Sequence, residues 1–244
     1  MRQLSLNLDM MSVIQSVYKL NVRQLFLGNS NAFLISSGNE VVLVDGGLGD
    51  RSRLIIDAAK EMVPDFRGIK FAFVTHAHYD HVGSIDSIRN LAGASVIAHE
   101  YEAEKLEAGE SPVPKGTMWF SRQISWLGCV LFRNCIRFNG FVPDLTFKQS
   151  LELPFAGDLI RCHHIPGHTK GSMGVEIGPW FFAGDTLFHL LPERVFPPFA
   201  DDTLELLRSW EKIIMIGSKK IFPGHGRAIS ARLLQYCLHR AMTP

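Results

Sequence analysis

Seven residues of the kinds that bind metal ions follow a spacing that predicts hydrolytic chemistry. In chain order they are His76, His78, Asp80, His81, His168, Asp185 and His225. Four lie within the run THAHYDH, and the other three stand alone in the runs PGHT, AGDT and PGHG. Five imidazoles and two carboxylates are enough to hold two divalent ions that share one water. Such a pair lowers the pKa of the water and produces hydroxide at neutral pH.

The histidine-rich run follows a short apolar segment, IKFAFVT at residues 69–75, which is typical of a strand with both faces covered. His76 and His78 are two positions apart, so an extended backbone points both imidazoles the same way. Asp80 and His81 follow where the chain turns into a helix. One loop therefore offers two imidazoles to one ion, and a carboxylate with an imidazole to a second. The run has no cysteine, which argues against a closed structural zinc site.

Each of the three solitary candidates follows a segment with the pattern of a strand. LIRCHHI at residues 159–165 precedes His168, WFFAG precedes Asp185, and KIFPG precedes His225. Side chains placed just after strands are how α/β sheets build sites. We therefore expect strand ends to deliver all three side chains to the site.

The elements that must position these residues alternate between strands and helices. The predicted order is two or three strands within 25–47 ending at a loop with Asp45, a helix at 50–62, a strand at 69–75, a helix at about 82–91, a strand at 94–100 and a final amphipathic helix at 229–241. Apolar strands that alternate with helices predict a layered α/β architecture.

The middle of the chain, residues 101–150, departs from this alternation. A charged helix is followed by the run 118–135, which has apolar residues on nearly every helical face. A helix that is apolar all round must be covered. Two interpretations are open: the helix packs on the core, or it forms a lid or a homodimer surface beside the active site. We predict a single domain over 1–244, with 101–150 as a helical insertion that forms a substrate pocket or dimer surface.

The bulk composition limits the classes of partner. The chain has 244 residues and a formal net charge of +1, which predicts neither a nucleic-acid nor an anionic-membrane partner. The four cysteines lack CxxC spacing and are interpreted as reduced thiols of a cytoplasmic protein. Residues 1–20 have no uninterrupted apolar stretch like that of a signal peptide, and no run of about 18 apolar residues predicts a transmembrane helix. A small-molecule substrate is therefore expected.

The ordered motifs HAHYDH, GH, GDT and GH, together with VDGG at 44–47, resemble the metallo-β-lactamase-fold hydrolase superfamily. The resemblance covers about residues 25–230. It implies an α/β fold of a particular kind, a four-layer αββα sandwich with the metal site at one edge of two packed sheets. It also implies that Asp45 is an acid behind the metal ligands, where a hydrogen bond orients an imidazole.

The same resemblance divides the ligands between two ions. By the family pattern, the first ion takes His76, His78 and His168; the second takes Asp80, His81 and His225; and Asp185 bridges both. Zinc is the expected metal, and iron or manganese accept the same donors. The implied reaction is attack by a metal-bridging hydroxide, with Asp80 and Asp185 as the catalytic carboxylates.

Departures from individual branches of the superfamily narrow the expected substrate. Dinuclear β-lactamases carry cysteine at the position of Asp185, and diiron flavoproteins carry glutamate at that of His78. This chain therefore matches neither of these two branches. Lactonases that act on acyl-homoserine lactones have tyrosine where this chain has Phe188. FAGDTLF most resembles thioesterases of the glyoxalase-II type, in which a cationic substrate contact falls near Arg194. His189 is a further candidate for the substrate pocket.

Three functions follow as hypotheses. The first is hydrolysis of a thioester or lactone that carries an acyl or anionic group. The second is hydrolysis of a phosphodiester. The chain lacks the basic cluster that a nuclease needs, so the phosphodiester would be a small molecule. The third is the oxidoreductase chemistry of the persulfide-dioxygenase type, with one iron on His76, His168 and Asp185.

Overall fold

Two β-sheets packed face to face form the centre of the structure, a computed structural model that describes residues 20–132 and 135–243. Helices cover the outer face of each sheet. This is the four-layer αββα sandwich predicted from the sequence, and the fold class is confirmed. Residues 1–19, where we predict no signal peptide, lie outside the described residues, as do residues 133 and 134 of the predicted run 118–135.

The first sheet has six strands in the order β1-β2-β3-β4-β5-β8. Their bounds are Asn21–Leu27 (β1), Ser30–Ser37 (β2), Glu40–Val44 (β3), Phe71–Phe73 (β4), Ser95–His99 (β5) and Leu145–Phe147 (β8). The first three strands pair antiparallel through short turns, and the remaining pairs are parallel. The parallel strands β4 and β5 are apolar on both faces because helices cover one side and the second sheet covers the other.

The second sheet has five strands in the order β13-β12-β11-β10-β9. Their bounds are Ser150–Phe155 (β9), Asp158–His164 (β10), Met173–Ile177 (β11), Trp180–His189 (β12) and Lys220–Gly226 (β13). Only β12 and β13 pair in parallel. Two further strands, Glu110–Pro112 (β6) and Cys135–Arg137 (β7), form a separate two-stranded sheet.

Seven helices are described. They are Ser52–Met62 (α1), Tyr79–Val82 (α2), Ile85–Ala92 (α3), Glu100–Ala108 (α4), Trp119–Phe132 (α5), Thr203–Ile216 (α6) and Ala231–Met242 (α7). Helices α1, α3 and α4 cover the first sheet, and α6 and α7 cover the second. Within the described ranges no helix is long and apolar enough to cross a membrane.

The core between the sheets is rich in phenylalanine. Phe33 of β2 packs against Phe182 of β12 and Phe222 of β13, with ring centroids 5.1 and 5.4 Å away, and the last two rings stack at 4.8 Å. Burial of one such ring contributes about 1.5–3 kcal/mol to folding. These contacts hold the two sheets together beside the strands that carry Asp185 and His225.

The segment 101–150 differs in part from its predicted form. Helix α4 and strand β8 belong to the layers: Leu106 is fully buried, and β8 extends the first sheet beside β5. Only β6, α5 and β7 stand outside them. The interpretation of 118–135 as a helix packed on the core is wrong, because the only buried residue of α5 is Ser121 and its large apolar side chains are exposed.

Candidate metal centre

The first group of candidate ligands comes from the loops after β4 and β10 and from within β12, so Asp185 does not lie at a strand end as expected. The group comprises His76, His78, His168 and Asp185, all buried. Nε2 of His168 lies 3.0 Å from Nδ1 of His78. Oδ2 of Asp185 lies 3.6 Å from Nε2 of His168 and 3.9 Å from Nε2 of His76. Four donor atoms therefore converge on one point, within reach of a single ion.

The second group lies on the other side of the same carboxylate. It comprises Asp80, His81 and His225. Oδ1 of Asp185 lies 3.1 Å from Nε2 of His81 and 3.3 Å from Nε2 of His225, and Oδ2 of Asp80 lies 3.6 Å from the same atom of His225. The two oxygens of Asp185 thus face different groups, as a bridging ligand requires. All seven residues singled out in the sequence meet here.

The backbone of β12 and β13 is shaped to bring Asp185 to this point. The pairing of the two strands shifts register on both sides of Gly184, which has a φ of +50°. A Cβ there would lie 2.5 Å from Oγ1 of Thr75, so only glycine permits this close approach. Gly224 likewise leaves the room that Oδ1 of Asp185 occupies.

Hydrogen bonds behind the site orient four of the imidazoles. Nδ1 of His168 donates to the carbonyl of Phe199 at 2.9 Å, and Nδ1 of His225 donates to the carbonyl of Asn29 at 2.6 Å. Nδ1 of His81 donates to Asp45, and Nδ1 of His76 lies 3.1 Å from Oγ1 of Thr75. Each bond places a proton on Nδ1, so Nε2 faces the site and is the nitrogen available to a metal ion.

Asp45 has the position that the resemblance implied. Its carboxylate accepts from Nδ1 of His81 at 2.9 Å, from the backbone N–H of Thr75 at 2.9 Å and from the Thr75 hydroxyl at 2.8 Å. The residue is buried and has a φ of +61°, which is uncommon outside glycine. The surrounding structure holds this strained backbone so that one carboxylate fixes both the imidazole and the start of the histidine-rich loop.

A residue that the sequence did not single out joins two of the ligand loops. Glu102 of α4 is fully buried. Its carboxylate accepts from the backbone N–H groups of Ala77 and Gly171, both at 3.0 Å, and from the Thr169 hydroxyl at 2.9 Å. Lys105 pairs with it at 3.1 Å. In the sequence Glu102 is one of several acids in a charged helix, so no spacing marked it as different.

Burial and neighbouring imidazoles keep three histidines neutral. Burial lowers the pKa of His76 and His78 well below 6.5, and the adjacent imidazoles lower it further. Burial also lowers the pKa of His168, although Asp185 acts in the opposite direction. Neutral imidazole is the form that binds a metal ion.

The other two histidines and the central carboxylate form a charged cluster. Burial acts to lower the pKa of His81 and of His225, but the neighbouring carboxylates, Asp185 and Asp80 with Asp45 beside His81, together raise both pKa values, well above 6.5 for His81. Burial alone would raise the pKa of Asp185, yet His225 and His81 hold it well below 3.8. The pocket therefore concentrates negative charge on Asp185 that is balanced by protons on its neighbours.

The donor set fits divalent metal ions. Three buried atoms of the site have no hydrogen-bond partner among the described residues: Nε2 of His76, Nε2 of His81 and Oδ1 of Asp185. The last two atoms lie 3.1 Å apart, but their geometry does not meet that of a hydrogen bond. Buried polar atoms without partners are rare and costly in native proteins. His76 belongs to the first group and His81 to the second, with Asp185 between them, so divalent ions bound in the two groups would satisfy these atoms. Imidazole and carboxylate donors suit zinc, iron and manganese.

The three candidate substrate residues have different surroundings. Phe188 is buried at the site, where its ring stacks on the imidazole of His225 at 4.3 Å and 19°. His189 is directed away, and its Nδ1 donates to the carbonyl of Arg227. Arg194 is exposed and lines a cleft with Met118 and Cys237. Of the three, the structure brings only Phe188 into contact with a candidate ligand.

Comparison with known proteins decides the family. The sequence profile of the metallo-beta-lactamase superfamily matches residues 25–225, which include all seven ligand positions. The chain belongs to this superfamily. Family membership and the assembled donors together make it a metal-dependent hydrolase, as predicted from the sequence.

Individual members of the superfamily share about a quarter of their aligned residues with this chain. A beta-lactamase-like protein 2 homolog of Drosophila melanogaster is 26% identical over 226 residues, which cover 90% of this chain and 67% of that protein. A hydroxyacylglutathione hydrolase of Anaeromyxobacter dehalogenans is 25% identical over 156 residues, 64% of this chain and 45% of the enzyme. The structure of TTHA1623 in a di-iron-bound form has a TM-score of 0.63 at 22% identity, covering 87% and 96% of the two chains.

Proposed function

We propose that this protein hydrolyses a small thioester or lactone at a dinuclear metal site. The observation that carries the proposal is the position of Asp185. Its two carboxylate oxygens face two separate groups of candidate metal ligands. A site for one ion would not need the second group, Asp80, His81 and His225, to be complete and buried. This arrangement favours a bridged pair over the mononuclear iron alternative.

The chain supplies positioning and proton handling around the bound ions. Two divalent ions, when bound, lower the pKa of a water and polarise the substrate carbonyl. Asp185 holds the two halves of the site in register through its separate oxygens. Asp80, beside His225, presents a carboxylate oxygen that can hold the hydrogen given up by the attacking water. No protein nucleophile takes part in this scheme.

The substrate reaches the site from the side of His78, Asp80 and His225. These three ligands retain 7–8% of their surface, whereas His76, His81 and His168 retain no more than 1%. Phe188 stacks on His225 on this side and is itself 8% accessible. An apolar ring beside the reacting centre suits an acyl group.

Thioester hydrolysis is also supported by similarity. Several relatives are named hydroxyacylglutathione hydrolases, a name that denotes cleavage of an acyl thioester. The A. dehalogenans protein has more than half of its length outside the match, so its own substrate is not transferred to this chain. Zinc is proposed as the resident metal, in a cytoplasmic protein, with iron or manganese as the alternatives that the same donors accept.

A substrate comparison tests the proposal. Initial rates are measured on an acyl thioester, a lactone and an aryl phosphodiester with the wild type, Asp185→Ala and the control Asp57→Ala, whose side chain is exposed on α1. We expect turnover of the thioester or lactone, its loss in Asp185→Ala and no change in Asp57→Ala. Turnover of the phosphodiester alone, or oxygen consumption with one iron per chain, would contradict the proposal.

Arg194 is proposed to contact an anionic part of the substrate. A guanidinium pairs with a carboxylate through two parallel hydrogen bonds. Arg194→Gln should therefore raise KM for an anionic thioester and leave kcat unchanged. If KM is also unchanged, Arg194 is a surface residue without a role in binding.

A further inference from the structure

Helix α5 has its small residues turned inward and its large apolar residues turned outward. Ser121 is fully buried, and Ser125 and Gly128 lie partly covered on the same face. The Ser121 hydroxyl contacts the backbone of Met118, and the Ser125 hydroxyl donates to the carbonyl of Pro114. The helix thus packs on its own preceding loop through a narrow polar face, the reverse of a helix that covers a core.

The outer face of α5 is apolar and aromatic. Trp119 is 80% exposed and Trp126 is 65% exposed. The other exposed apolar side chains are Phe120, Ile124, Leu127, Val130, Leu131 and Phe132. So many large apolar groups on one short helix mark an interaction surface, because monomeric proteins rarely expose a contiguous patch of this kind.

The charge around α5 differs from that of the whole chain. Residues 111–143 contain no aspartate or glutamate and four basic residues, although the chain as a whole has 25 basic and 24 acidic residues. Lys115 and Arg122 are exposed and form no ion pair within the described ranges, whereas Arg137 pairs with Glu110 at 3.2 Å. A surface that covers this face therefore meets unneutralised positive charge beside apolar side chains.

The segment 111–117, which precedes α5, is hydrogen-bonded to two of the loops that form the metal centre. The Ser111 hydroxyl accepts from the backbone N–H of Tyr79, which lies between two candidate ligands. Backbone hydrogen bonds join Lys115 and Thr117 to residues 197–200, and the carbonyl of Phe199 in that loop orients His168. Whatever binds α5 is held close to the active site.

We infer that α5 docks the enzyme on an anionic lipid surface. Exposed tryptophan, phenylalanine and leucine beside basic residues are the composition of helices that lie in a membrane interface, and a helix of 14 residues is too short to span a bilayer. A second copy of the chain fits less well, because in a two-fold dimer the same surface faces itself, and residues 111–143 of the second copy offer no acidic partner for Lys115 and Arg122. This local surface outweighs the net charge of +1, from which we predicted no membrane partner.

Vesicle co-sedimentation of the full chain tests the inference without relying on hydrolysis. The probes are vesicles of phosphatidylcholine alone and of equal parts phosphatidylcholine and phosphatidylglycerol. We expect binding to the anionic vesicles that weakens as salt is added, and a blue shift of tryptophan emission on binding. A wild type that sediments with neither kind of vesicle would overturn the inference.

Variants of exposed residues locate the surface. Trp126→Ser should weaken binding to anionic vesicles about ten-fold or more, the effect of withdrawing one large apolar side chain. Arg122→Glu should weaken it about five-fold or more on anionic vesicles only. The control Met215→Ser removes an apolar side chain that is 78% exposed on α6 and should bind like the wild type.

Two further outcomes keep the test decisive. Circular dichroism checks that each variant is folded, and Leu131→Ser replaces Trp126→Ser if that variant is not. Equal loss of binding in Met215→Ser would show non-specific adsorption and contradict a role for α5. A wild-type dimer that becomes monomeric in Trp126→Ser, with no vesicle binding, would assign the surface to a second copy instead.

Discussion

Oδ1 of Asp185 lies 2.1 Å from the point that a Cβ on residue 224 would occupy, so Gly224 makes the room for the bridging carboxylate. The same Cβ would also lie 3.0 Å from the imidazole of His81. The glycine is needed here for space, because its backbone does not have the left-handed φ that would require it. Sequence motifs mark the ligands, and this contact shows that a neighbour without a side chain is equally necessary.

Gly224→Ala should displace Asp185 and lower the rate of hydrolysis about 100-fold without unfolding the chain. Misplacement of a reacting group by about 1 Å costs roughly 100-fold in rate. The measurement is kcat/KM, together with bound metal per chain. Gly128→Ala on α5 is the control, since its Cβ meets only the Val113 side chain. If Gly224→Ala retained full activity and metal, Asp185 would not need this space.

Asp45→Asn should weaken metal binding by about 10- to 100-fold, the usual effect of losing the group that orients a ligand imidazole. Asparagine tolerates the φ of +61°, so the backbone is kept while the charge opposite His81 is lost. Metal affinity is measured by competition with a chromophoric chelator. Asp57→Asn on the surface of α1 is the control. Equal metal affinity in the two variants would show that Asp45 does not support metal binding.

Glu102→Gln should destabilise the fold and loosen the site together. The carboxylate accepts from Ala77, Thr169 and Gly171, and an amide nitrogen in place of one oxygen faces a donor. We expect a loss of about 2–3 kcal/mol in the free energy of unfolding. Urea denaturation measures it, with exposed Glu104→Gln as the matched control on the same helix. A change no larger than that of the control contradicts the joining role of Glu102.

The two halves of the site should lose metal at different pH. In the metal-free protein the pKa of His81 and of His225 is raised above 6.5, so a metal must displace their protons even near neutrality. The pKa of His76 and of His78 is lowered well below 6.5, so protons compete there only in more acidic solution. As pH falls towards 6.5, the ion on the His81 side should leave first.

Metal content after dialysis at a series of pH values measures this order. We expect the metal content to fall in two steps, the first at a measurably higher pH than the second. His225→Ala should lack the first step and retain the second. A single step in the wild type that releases both ions together would contradict the asymmetry between the two groups.

The ligands and the layers could be predicted from the sequence because each leaves a periodic or spaced pattern. His76 and His78 stand two apart after an apolar strand, and apolar strands that alternate with helices indicate a layered α/β fold, whereas the two packed sheets were implied by the family resemblance. In motifs of this kind, histidine and aspartate most often bind metal ions, so their positions could be predicted from the sequence alone. The structure accordingly assembles all seven candidates at one centre.

Glu102 and the orientation of α5 could not be predicted in the same way. The role of Glu102 depends on loops that are distant in sequence, at Ala77 and Gly171, and becomes visible only when folding brings them together. For 118–135, apolar residues on nearly every helical face left two interpretations open, and the interpretation as a helix packed on the core assumed that a large neighbour covers it. The small residues Ser121 and Gly128 in fact form the inner face.

The metal-to-chain ratio of the purified protein, reconstituted with zinc and freed of loosely bound ions, tests the central claim most directly. Plasma mass spectrometry of the wild type should give two ions per chain, and His225→Ala should give one. A wild-type ratio of one, unchanged in His225→Ala, would contradict a site in which Asp185 joins two metal ions.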